Sequence, residues 1–66
     1  MKANQSNIKA GMKLVYDDGR AGHTSAICRV CGVNAVGMQV QFEDRARRNF
    51  IAFTDSAWMN YLSIKN

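Results

Sequence analysis

The sequence contains no proline. Nothing in it marks a rigid linker, and it holds no internal repeat or low-complexity tract, so its 66 residues read as one unit. It also lacks a long apolar run. None approaches the roughly 18 residues of a membrane span, and the N-terminal stretch MKANQSNIKA has no apolar centre of the signal-peptide kind. A cytoplasmic location without membrane contact is expected. Cysteine is scarce, and two of them three positions apart do not make a secreted disulfide framework. Catalytic groupings are missing too. There is no phosphate-binding glycine loop, and Asp17-Asp18 and Glu43-Asp44 read as turn residues. His23 has no nucleophile or carboxylate fixed beside it by spacing. A domain this small buries only about 60% of the surface of its unfolded chain, which leaves little area for a deep cleft. No catalytic residue, cofactor or resident metal is expected, and no enzyme.

What is present is organised around Val36 to Thr54. Met38, Val40 and Phe42 alternate with Gln39, Gln41 and Glu43, the period-2 pattern of a strand with one buried face. The polar run 43–49 interrupts that pattern, and Phe50-Ile51-Ala52-Phe53-Thr54 resumes it with aromatic and β-branched residues. This reads as an antiparallel hairpin with Arg45, Arg47 and Arg48 at or near its tip.

On the N-terminal side, residues 1–7 hold no large apolar side chain and read as a loose, flexible arm, with a single domain over 8–66. Met12, Leu14 and Tyr16 alternate against Lys13, Val15 and Asp17, which predicts a first strand. Asp17-Asp18-Gly19 and Gly22 predict a long loop, and Thr24 to Val33 a second strand. After Phe53, Thr54 or Asp55 can cap a helical turn on which Trp58, Tyr61 and Leu62 share a face. Residues 63–65 read equally as a closing strand or as the end of a helix spanning 56–65.

The fold class expected is mainly β, a small five-stranded antiparallel barrel with one short helical turn near the C-terminus. This order of elements resembles an SH3-like barrel, as in Tudor-like and KOW-like modules, over Ile8 to Lys65. The resemblance implies a closed barrel. It does not carry over a ligand, because the first loop lacks the acidic and aromatic cluster of proline-peptide binders and no aromatic cage for methylated residues is evident. In so small a barrel Tyr16, Phe42, Phe50, Phe53 and Trp58 are expected in the core.

Cys28-Arg29-Val30-Cys31-Gly32 resembles one knuckle of a zinc ribbon. A structural zinc needs four ligands, and only His23 offers a third. In a regular strand residues three apart point to opposite faces, so one cysteine is expected to fill the core. A thioredoxin-like redox pair is disfavoured, since no helix follows.

The net charge of +4 is spread along the chain: +2 in residues 1–10, zero in 11–22, +1 at Arg29, +1 in 43–54 and zero in 55–66. A basic balance favours polyanionic partners. The expected function is a non-enzymatic binding module that contacts nucleic acid through Arg45, Arg47, Arg48, Arg29, Lys13 and Arg20. The alternative is a protein-interaction module, an adaptor, inhibitor or homo-oligomerising subunit, using spare apolar residues such as Val15, Ile51 and Met59.

Overall fold

The alternation of residues 37–42 fixes which face of the sheet is buried. In the computed structural model, which describes residues 1–22 and 24–65, these residues form strand β3 (Gly37–Phe42). Met38, Val40 and Phe42 are buried and Gln39 is exposed. Strand β2 (Ala26–Val33) pairs antiparallel along one side of β3, setting Cys28 opposite Phe42 and Val30 opposite Val40. Strand β4 (Arg48–Ala52) pairs along the other side, with Ile51 opposite Met38. Strand β1 (Lys13–Tyr16) extends the sheet beyond β2 and places Leu14 opposite Cys28. Strand β5 (Leu62–Ile64) closes the far side, opposite β1. The result is one five-stranded antiparallel sheet in the order β4-β3-β2-β1-β5.

The sheet buries a single face. Leu14, Cys28, Val30, Met38, Val40, Ile51 and Leu62, drawn from all five strands, are each at most 1% exposed. Helix α1 (Ser56–Met59), the one helix among the described residues, is four residues long and too short to cover that face. Ile8, Ala3 and Met59 join the strand residues in one shared core. The two end strands share no ladder, and α1 lies between them in the chain, so the described sheet is open rather than closed into the expected barrel.

The two readings of the C-terminal segment are now separated. Asp55 caps α1, its carboxylate accepting from the Ala57 N–H at 3.2 Å and its carbonyl from Trp58 and Met59. The helix stops at Met59 and the chain turns into β5. Trp58 packs against Tyr16 and Phe42, with ring centroids 5.1 and 5.8 Å apart, and Tyr61 meets Tyr16 edge-on.

Residues 1–3 run along the outer side of β5. Ala3 N–H donates to the Leu62 carbonyl, Ile64 N–H donates to that of Met1, and Lys2 bridges Ser63. Ala3 itself is buried. Asn34 makes the β2–β3 turn by accepting from the N–H groups of Val36 and Gly37 at 2.9 and 2.8 Å. Gly37 is there for space: a Cβ would collide with the Ile51 carbonyl and lie 2.7 Å from the Phe50 ring. No helix among the described residues is long and apolar enough to cross a membrane.

Burying an unpaired carboxylate costs several kcal/mol, comparable to the stability of a domain this small. Val40→Asp is expected to abolish the cooperative thermal transition. Gln39→Asp, on the opposite face of the same strand, should leave it within a few degrees of the parent. Equal melting temperatures for the two variants would refute the orientation of β3.

Candidate functional site

Register decides which charged residues meet. Lys13 lies opposite Arg29, Arg29 opposite Gln41, and Gln41 opposite Arg48. Cross-strand partners share a face, so these four side chains form one row across β1, β2, β3 and β4 on the outer surface. With strands about 4.8 Å apart, the row spans roughly 14 Å. Its three cations are all exposed. Part of the row lines a shallow depression of about 350 Å³, bounded by Lys13, Arg29, Gln41, Phe42, Glu43 and Arg45.

The β3–β4 connection is tied to this row. The Gln41 side-chain amide donates to the carbonyls of Arg45 and Ala46, at 3.4 and 3.3 Å. The Arg45 N–H donates to the Phe42 carbonyl at 3.1 Å. The Arg45 guanidinium then lies over the Phe42 ring, 5.4 Å from its centroid, a cation–π geometry. Lys13 Nζ sits 3.6 Å from Glu43 Oε1, with both side chains more than half exposed. Such a pair adds little stability, but it cancels one of the row's charges.

The candidate cations therefore divide. Lys13, Arg29 and Arg48 share the row, and Arg45 stands at its depression. Arg47 is exposed in the turn just before β4. Arg20 lies in the β1–β2 loop, past the end of β1 opposite Lys13, and pairs with Asp18 at 3.7 Å. It is not part of the row. Arg48, read as a tip residue, opens strand β4.

Two apolar expectations change. Phe50 is not in the core: it is 52% exposed on the outer face, two residues from Arg48. Ile51 takes the inward position instead, since neighbouring residues of a strand face opposite ways. Ile51 and Met59, named with Val15 as a docking patch, are buried, and that patch does not exist.

Cys28 is fully buried, and Cys31 sits half-buried where the β2–β3 register slips between Val30 and Gly32. Burial pushes the Cys28 thiol up from its ordinary 9.0 to about 11, opposed by a hydrogen bond from the Leu14 backbone and aided slightly by Cys31. Among the described residues no three His, Cys, Asp or Glu side chains are placed to hold a metal ion. His23, the candidate third ligand, lies outside the described residues. No protein-family model, curated protein or solved structure matches this chain.

The thiols provide a check on β2. The unfolded chain releases the Cys28 proton near pH 9, whereas the folded chain holds it to about 11. The thiol's contribution is therefore full below pH 9 and is lost as pH rises through 11. The part of this alkaline fall due to Cys28 should vanish in Cys28→Ala. Iodoacetamide at neutral pH should modify Cys31 alone in the folded protein and both thiols in denaturant. Equal labelling of the two by mass spectrometry would place Cys28 outside the core.

Proposed function

We propose that this chain is a small non-enzymatic module that binds nucleic acid across the outer face of its sheet. The observation that carries the reading is the row Lys13–Arg29–Gln41–Arg48, assembled by strand register from residues far apart in sequence. Arg45 and Arg47 extend its positive field. Guanidinium groups offer planar, bidentate donors to phosphate. The row places three cations along a line, a geometry suited to consecutive phosphates of one backbone. The three cations are exposed, and among the described residues only Lys13 of the three is paired with an acid, Glu43.

The connectivity also supports the SH3-like reading of the fold: four strands in sequence, a helical turn, and a short last strand returning beside the first. A cytoplasmic location belongs to the same proposal. The competing reading, a protein-docking module, draws on Phe50, Val36 and Val33, which are exposed near the β2–β3 turn and on β4. A lysate pull-down with and without nuclease distinguishes the two.

Each phosphate contact releases counterions, so the logarithm of affinity should fall with the logarithm of salt, with a slope of roughly −2 to −4 for three or four contacts. Replacing Arg29, Arg45 and Arg48 with Gln should weaken binding to every nucleic acid tested and flatten that slope. Melting temperature should hardly change, because exposed charges contribute little to stability. Glu43→Gln removes the acid opposite Lys13 and should tighten binding and steepen the slope. Failure of the parent protein to bind any oligonucleotide at low salt would end this reading.

A further inference from the structure

We infer that the nucleic acid taken by this face is single-stranded, with an unpaired base stacked on Phe50 while its phosphates lie against Arg48 and Arg29. The inference rests on the nucleic-acid reading above and adds the class of strand.

Phe50 is the largest apolar side chain on the outer face, and its position is determined by the backbone beneath it. It stands opposite Gln39 on β3, and its ring reaches back over Gly37, which has no side chain to lift it. Any Cβ at residue 37 would come within 2.7 Å of the ring. The glycine thus leaves a flat seat, and the ring's other side is open to solvent. Arg48 is two residues away on the same face of the same strand, about 7 Å along it. Gln41 and Arg29 continue the row from there.

A ring level with a line of cations suits an unpaired base. Every base has a π-face, so stacking tolerates any sequence, and the cations track the backbone beside it. A duplex cannot use the ring without first unstacking a base, which opposes its binding here. The depression is also shallow, and the row lies on a sheet surface rather than on a projecting helix that would enter a major groove.

The edge of β4 supplies a further contact. The Phe53 N–H to Val36 carbonyl bond sets the phase of the β3–β4 ladder, so Ile51 and Asn49 bond to β3. The amides of Phe50 and Arg48 then face outward, beside the ring, as hydrogen-bond donors toward a bound strand.

The test is fluorescence anisotropy with a labelled oligothymidine roughly 15 nucleotides long and a duplex of the same length, at low salt. The parent should bind the single strand at least about tenfold more tightly than the duplex. Phe50→Leu should weaken single-strand binding about tenfold, the effect of losing one stacked base, while leaving the salt slope and the melting temperature unchanged. Phe50→Tyr, which keeps a ring, should restore it. Arg48→Gln should weaken both ligands and flatten the slope. Equal affinity for single strand and duplex, or an unaffected Phe50→Leu beside a weakened Arg48→Gln, would overturn this inference and leave the nucleic-acid reading standing. Absence of binding to either ligand would overturn both.

Discussion

The structure depends on one constraint: a sheet with almost no helix must cover its own apolar face. Residues from every strand share one core, and a four-residue helix cannot shield them. The inward positions are filled by Leu14, Cys28, Val30, Met38, Val40, Ile51 and Leu62, and among the described residues no charged side chain is buried. Because the side-chain period is two, fixing the inward set fixes the outward one. The buried pair Cys28–Phe42 and the outward pair Arg29–Gln41 are the same register seen from two sides. The cationic row is thus a by-product of core packing, set by the same register that fills the interior.

The contacts that shape the site are weak one by one. The Lys13–Glu43 pair is solvated, Gln41 makes two long hydrogen bonds, and Arg45 rests on a ring that the core already positions. They define where the cations stand more than they stabilise the fold. Charges placed this way keep most of their interaction energy available to a ligand, since binding does not have to break a strong internal partner first.

Much of the sheet was legible from alternation. Met38, Val40 and Phe42 carried the phase of β3, and Leu14 and Tyr16 that of β1. Periodicity could not decide between neighbours in an unbroken apolar run, so Phe50 was read inward when Ile51 holds that place. Composition around Gly37 held the missing signal: a glycine beside a bulky exposed ring is a packing requirement, visible only once β3 and β4 are paired. Arg48 was placed at a tip because its charge hid its role as the first residue of a strand. The attachment of residues 1–3 to β5 left no trace in hydropathy, because it is made by backbone groups and one alanine. The grouping of Lys13 with Arg29 and the separation of Arg20 depend on long-range register, which local pattern does not encode.

The pairing of residues 1–3 with β5 shields one flank of the sheet. An antiparallel sheet has two lateral edges, each able to accept a further strand. Here residues 1–3 lie along β5, and β4 forms the other edge. Displacing Met1 and Ala3 would free the Leu62 carbonyl and the Ile64 N–H, take one alanine out of the core, and turn the flank of β5 into a bare template of unpaired backbone groups.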